Sequence, residues 1–372
     1  MHERADILVI GAGIAGSSAA AELAADASVI LLEGESHPGY HATGRSAAFF
    51  APAYGNSVVR GLTGVSEPFF RHPPPDFSET ALLRPRDCLF IARPEQLPQL
   101  QSLQEENSAL QWFSGEAAVQ AQPLLSADYV AAALRDGHGG DLDVDAILQG
   151  YLRLLRRRGG RLLAREQVTA LQRVAGCWQV QTERSSYRAP VVVNAAGAWV
   201  DSIAMLAGLA GVGISPMRRT AVLIDVPAGH DCSDWPMVVD VDEEFYFKPD
   251  AGQLLISPAD ETPSPACDAQ PEELDVALAV DRFERATGVE VSRVNHRWAG
   301  LRSFAPDQTF VVGFDPRVPG FFWLAGQGGY GVQSAPAMAQ LAASLITASA
   351  PASPFAGVMA YKEAVAPERL LD

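Results

Sequence analysis

An α/β fold, with one sequence-discontinuous domain on a parallel sheet and an α+β domain on an antiparallel or mixed sheet inserted into it, is what three observations predict. A β-branched run, a glycine cluster and an Ala-rich helix open the chain. An almost wholly apolar strand followed by small residues lies mid-chain, and a second glycine cluster opens a helix near the end. At 372 residues the chain exceeds the usual size of a single core, so two interleaved domains follow. Residues 1–83, 140–212 and 300–372 are assigned to the first domain, and 84–139 and 213–299 to the second.

Taken in order, Ala5 to Ile10 reads as a strand, Ile14 to Ala25 as a helix and Ser28 to Leu32 as a second buried strand, a compact βαβ unit. Gly34 to Ser46 is rich in turn residues and reads as a loop. Ser57 to Phe70 has helical spacing and is closed by Pro73-Pro74-Pro75. Asp143 is placed to cap a helix running to Arg158, whose apolar side is Ile147, Tyr151, Leu154 and Leu155. Strands are expected within Arg161–Leu171 and at Trp178–Thr182 and Ala189–Asn194, the last apolar enough to be buried on both faces. Further strands fill most of Arg218–Ser257. An amphipathic helix follows over Pro271–Ala286, then a strand at Gly320–Ala325 and a helix of small residues reaching about Ile346.

Charge narrows the partners. With 28 Lys and Arg against 44 Asp and Glu the formal charge is −16, a field that repels nucleic acid and anionic lipid. Four widely spaced cysteines without CxxC or metal-ligand spacing imply a reduced, cytoplasmic protein with no metal site. No apolar run is long enough to cross a bilayer, and the first residues lack a signal-type apolar region.

Gly11-Ala12-Gly13-Ile14-Ala15-Gly16 fits G-x-G-x-x-G with a strand before it and a helix after it. In that Rossmann-like setting Gly11 permits the turn, Gly13 lets a pyrophosphate approach the backbone, and Gly16 lets the helix pack on the strand. The helix start supplies N–H donors and partial positive charge. Glu33 ends the second strand, where a carboxylate accepts from a ribose diol and disfavours a 2′-phosphate. Three features favour FAD over NAD. The motif lies at the start of the chain; Gly326-Gln327-Gly328-Gly329-Tyr330-Gly331 offers another helix start; and Val191 to Trp199 is a buried strand running into small residues.

Three longer strings carry a resemblance. They are Pro38-Gly39-Tyr40-His41-Ala42-Thr43-Gly44-Arg45-Ser46-Ala47-Ala48, Trp298-Ala299-Gly300-Leu301-Arg302-Ser303-Phe304, and Gln327-Gly328-Gly329-Tyr330-Gly331. With the motif above they resemble the D-amino-acid oxidase and dehydrogenase superfamily of FAD enzymes along nearly the whole chain, most closely the D-arginine dehydrogenases. The resemblance implies non-covalent FAD, lined by Gly44, Arg45, Ser46 and Ala47, with Val168 meeting the adenine side. Ala196, Gly197, Gly328, Gly329, Tyr330, Gly331 and Gln333 are counted with the cofactor residues. It further implies that Arg219, Arg302, Tyr54 and Tyr246 surround a substrate carboxylate. The chemistry is apt: a planar guanidinium grips a carboxylate through two charge-assisted hydrogen bonds, which fixes Cα for hydride transfer to flavin N5 and yields an imino acid.

The side-chain pocket departs from that pattern. Cys88 stands where the D-arginine enzymes have an acid, and Phe49 where they have a histidine. Neighbouring residues on a strand face opposite ways, so neither Asp87 nor Asp240 simply replaces the acid. Phe49, Cys88, Met237, Val239 and Gly329 then describe a pocket for neutral or apolar D-amino acids. Lys248 and Lys362 are the only lysines, and neither aligns with the oxygen-activating lysine of sarcosine-oxidase-like relatives. A dehydrogenase with a quinone-like acceptor is therefore favoured over an oxidase. No cysteine is expected near Arg302, which leaves His41 as the residue to check for covalent attachment. The rivals are oxidation of a secondary amine such as sarcosine or proline, oxidation of a 2-hydroxy acid, and a flavin-binding protein without turnover.

Overall fold

The computed structural model describes residues 2–371. Its central sheet has six strands in the order Arg161–Leu163, Val29–Leu32, Ile7–Ile10, Val191–Asn194, Phe321–Ala325 and Val311–Phe314. All neighbours are parallel except the last pair. Side-chain alternation explains why these short strands read as continuous apolar runs. Ile7, Val9, Leu31 and Val193 point to one face, where the helices Ile14–Leu23, Val144–Arg157 and Gly331–Thr347 pack. Leu8, Ile10, Leu32 and Val192 point to the other, against Trp178, Val180 and Tyr187 of a four-stranded sheet. The Val144 helix starts as its sequence indicates, with Asp143 accepting from Ala146 N at 2.8 Å.

The second body of structure is a nine-stranded sheet. Its pairings are antiparallel except where Met237–Asp240 runs parallel to Cys88–Ala92. Helix Glu273–Thr287 covers one face, packing Val276, Ala279 and Phe283 on Val222, Phe247 and Ile256. The opposite face presents Cys88, Met237, Tyr246 and Ala221 toward the central sheet. That placement makes a cavity between the two sheets.

Several elements differ from the sequence reading. Arg161–Leu171 divides into two strands that join different sheets, Arg161–Leu163 in the six-stranded one and Val168–Val174 in the four-stranded one. The stretch 84–139 holds strands Cys88–Ala92, Gln111–Ser114 and Ala132–Asp136 and helices Leu97–Glu106 and Gly115–Ala121, none of which the periodicity resolved. Val294–Phe304 is one long strand paired with Ser215–Ile224, so a boundary between 299 and 300 falls inside it. Among the described residues no helix is long and apolar enough to cross a membrane. No group of His, Cys, Asp and Glu there could hold a metal ion, and the four cysteines are free thiols.

Candidate active site

An elongated cavity of about 370 Å³ runs from the first βαβ unit to the nine-stranded sheet. At one end lie Gly11, Gly13, Ile14, Ala15, Glu33 and Val168; Ala196 and Gly197 follow, and Arg45, Ser46, Ala47, Arg302, Gly328, Gly329 and Gly331 lie toward the other. The opening turn depends on missing side chains. Gly11 has φ +98°, and a Cβ there would stand 2.6 Å from Ala195 O. A Cβ at Gly16 would overlap the carbonyl of Gly11, so this residue packs helix on strand and does not itself line the cavity. Helix Ile14–Leu23 has no acid in its first turn and no side chain at its N-cap, Gly13. Thr43 Oγ1 accepts from Ile14 N at 2.9 Å, tying the following loop to that helix start. Glu33 is held by Ala12 N at 2.8 Å and Glu35 N at 2.9 Å, with its carboxylate at the cavity wall.

A smaller chamber, about 80 Å³, opens from the far end. Ser46, Ala47, Arg219, Tyr246, Arg302 and Gly329 line both spaces and so form the neck between them. Behind the neck are Phe49, Tyr54, Cys88, Phe90, Met237, Val239 and Glu243. The nine residues named in the sequence for the clamp and the substrate pocket thus come together here, although they span positions 49 to 329.

The arginines dominate the neck. Arg302 makes no ion pair among the described residues; Nη1 reaches Tyr54 Oη at 3.4 Å, and Gly329 lies so close that a Cβ there would be 3.0 Å from Nη1. Burial works against its charge, but the facing Tyr54, Tyr246 and Glu243 outweigh this and raise its pKa. Arg219 is 7% exposed and donates through Nη2 to Glu261 Oε1 at 2.8 Å, while its buried Nε has no acceptor. Its Cζ lies 6.0 Å from the Tyr246 ring centre. Tyr54 donates to Glu243 Oε2 at 2.7 Å, and burial above all pushes its phenol well above the ordinary range.

Some expected contacts are placed differently. Gly44 and Tyr330 line neither space. Gly44 N instead closes a turn on Gly39 O, and Tyr330 packs its ring on Tyr54, Phe304 and Phe310. Gln333 lines only the smaller chamber, and its amide bonds Ala51 N, Ala51 O and Thr63 Oγ1, which holds the loop carrying Tyr54. Arg45 reaches the cavity wall, but its guanidinium is turned to Ala269 O, Ala299 O and the Asp268 carboxylate. Cys88 lines the small chamber together with Arg302, and Cys267 lines the larger cavity. Spacing along the chain hid both, because strand and loop meet only in the fold. Asp87 pairs with Arg135 at 2.6 Å, and Asp240 is held by Gln96, so neither enters the pocket.

Glu243, Glu261, Thr43 and Gln327 were missed as site residues. Gln327 lay inside a quoted string; its Nε2 is a buried donor without an acceptor at the cavity wall. This orphan donor, the glycine cradle and a helix start whose N-cap, Gly13, carries no side chain suit a dinucleotide whose far end offers acceptor atoms.

The sequence profile of the FAD dependent oxidoreductases (DAO) matches residues 6–345. The chain belongs to this family. The enzymes of this family use FAD, and the long cavity is the space that would hold it. Among curated relatives, FAD-dependent oxidoreductase domain-containing protein 1 of Xenopus laevis is 29% identical over 185 residues, 44% of this chain and 36% of that protein. Human mitochondrial sarcosine dehydrogenase is 25% identical over 219 residues, 54% of this chain and 23% of that protein. The chain therefore spans about a third or less of the length of these relatives. L-proline dehydrogenase from P. horikoshii superposes with a TM-score of 0.83 over 99% of this chain and 98% of that one, at 22% identity, a likeness of fold.

Proposed function

We propose that this DAO-family oxidoreductase is a D-amino acid dehydrogenase that oxidises the Cα–N bond of substrates with neutral or apolar side chains. One observation carries the reading: among the described residues, Arg302 at the neck makes no ion pair, and Arg219 beside it keeps a buried Nε–H without an acceptor. Unpaired cationic donors in a concave site are costly unless a ligand meets them. A substrate carboxylate supplies acceptors to both, with the geometric precision of a guanidinium fork. Held there, the substrate would present Cα at the mouth of the cofactor cavity and its side chain to Phe49, Cys88, Phe90, Met237 and Val239. Bound FAD supplies the hydride acceptor. The neck residues orient the substrate and include no His, Lys or carboxylate; the carboxylate lining the small chamber, Glu243, accepts from Tyr54 Oη.

D-stereopreference and kinship with the D-arginine dehydrogenases rest on the three quoted strings, and the apolar preference on Cys88 and Phe49. Buried Lys248 is paired with Asp141 and Asp250, and no lysine lines either space, which supports slow reaction with oxygen and a quinone-like acceptor. His41 Nε2 is 2.9 Å from Glu35 Oε1, which supports non-covalent FAD; acid precipitation should release the flavin. The free thiols support a cytoplasmic location.

A second reading, oxidation of a secondary amine, is favoured by what the relatives named above act on. A 2-hydroxy acid would use the same clamp. Anaerobic flavin reduction across D-, L- and N-methyl amino acids, proline and 2-hydroxy acids separates them. D-leucine, D-methionine or D-phenylalanine should bleach the flavin faster than D-arginine. Faster bleaching by sarcosine or proline would establish the second reading, and bleaching by none would leave a flavin-binding protein without turnover.

A further inference from the structure

We propose that Glu261, which lies outside both spaces, is the positioning residue that aims Arg219 at the substrate's carboxylate. The proposal rests on the carboxylate clamp and names what holds one half of it. Arg219 Nη2 donates to Glu261 Oε1 at 2.8 Å, and this is the only hydrogen bond its guanidinium makes among the described residues. A guanidinium is planar and its donors have fixed mutual directions, so anchoring one nitrogen narrows where the rest can point. Arg219 lines the neck, and its buried Nε–H is left without an acceptor among the described residues.

Glu261 is itself held to the strand that carries Arg219. On one side, Ser257 Oγ donates to Thr220 O at 2.6 Å. Asp260 accepts from Thr220 N at 2.6 Å and from Thr220 Oγ1 at 3.1 Å. On the other, Thr262 and Pro263 pair with Arg218 and Met217, and Ser264 N donates to Pro216 O at 3.0 Å. A carboxylate meant to swing away for an incoming ligand would not be stapled on both flanks. The chain on both sides of Glu261 is held to the Arg219 strand, and its carboxylate meets Arg219 from that tethered position.

The test uses the flavin-loaded protein and 4-methylpentanoate, leucine without its amine, whose Kd is read from the flavin spectrum without turnover. E261A should raise that Kd, and the KM for D-leucine, about tenfold with kcat little changed, the size of one lost hydrogen bond to a charged group. E261Q keeps a carbonyl acceptor at the same reach and should return both constants to within about threefold of the parent. Should E261A lose its flavin, E261D, one methylene shorter, should show the same rise. Equal or tighter binding in E261A overturns the proposal, as does E261Q as weak as E261A, which would make charge the agent. R219M separates the two levels: if its Kd is unchanged the clamp reading fails, whereas a rise in R219M with none in E261A removes Glu261 alone.

Discussion

The two ends of the cavity are made from different materials. At the cofactor end the shape is set chiefly by backbone: a turn at Gly11 and a helix start at Gly13–Ala15 line it, and Gly16 packs that helix on the strand behind. At the substrate end the walls are side chains, drawn from the loop at 46–54 and from strands Cys88–Ala92, Ser215–Ile224, Met237–Asp240, Tyr246–Asp250 and Val294–Phe304. A backbone site fails when atoms are added. A side-chain site keeps its shape under substitution and changes what it selects. Mutations at the first end should therefore govern whether flavin is present, and mutations at the second which molecule is turned over.

The largest effect tests that division at its root. G16V places a branched side chain where even a Cβ overlaps Gly11 O, so the helix must leave the strand and flavin binding should be abolished. The flavin-to-protein absorbance ratio checks this, and a full complement of flavin in G16V would break the comparison. Next, R302M should keep its flavin while kcat/KM falls by about a hundredfold or more, the equivalent of two charge-assisted hydrogen bonds. Loss of flavin in R302M would show that the neck belongs to the cofactor end after all.

The same contrast explains what could be read before any fold was known. Gly11, Gly13, Gly16 and Glu33 are fixed by local geometry within one βαβ unit, so spacing alone located them. Arg219, Arg302, Tyr54 and Tyr246 were located only through resemblance, since nothing local marks an arginine as facing a neck. Glu243 and Glu261 escaped notice because an acid in a loop is ordinarily solvated, and only the fold shows their partners to be Tyr54 and Arg219. The strands of 84–139 were missed for a related reason. They are short, and Cys88–Ala92 is buried throughout, which erases the alternation that marks a strand.

Selectivity at the second end should be movable in a predictable direction. Cys88 is 1% exposed and its thiol is pushed well above its ordinary pKa by burial and then by Asp136 and Asp87. C88E puts an acid at the end of the small chamber, and the ratio of kcat/KM for D-arginine over D-leucine should rise about tenfold, the lower range for a charge-assisted hydrogen bond. Asp136, directly across the strand pair, will oppose ionisation of the new carboxyl, which keeps the gain at that end of the range. An unchanged ratio would mean that the substrate side chain does not reach Cys88.

The smallest effect concerns Tyr54, whose hydroxyl donates to Glu243 and accepts from Arg302 Nη1 at a long 3.4 Å. Burial is the chief cause that raises its pKa, with Glu243 and Tyr330 adding and the two arginines opposing. For an acid whose pKa is raised, the protonated form persists to higher pH, so the phenol stays a neutral donor throughout any practical assay range. Y54F keeps the ring packed on Tyr330, whose centre is 5.1 Å away, and removes only the hydroxyl. The KM for a D-amino acid should rise about fivefold, as for one modest hydrogen bond, while the alkaline limb of the kcat/KM profile stays where it was. If that limb moved in Y54F, Tyr54 would be ionising during turnover. Water would then reach the neck, and the desolvated clamp on which the amino-acid reading depends would be weaker than the buried Arg219 Nε indicates.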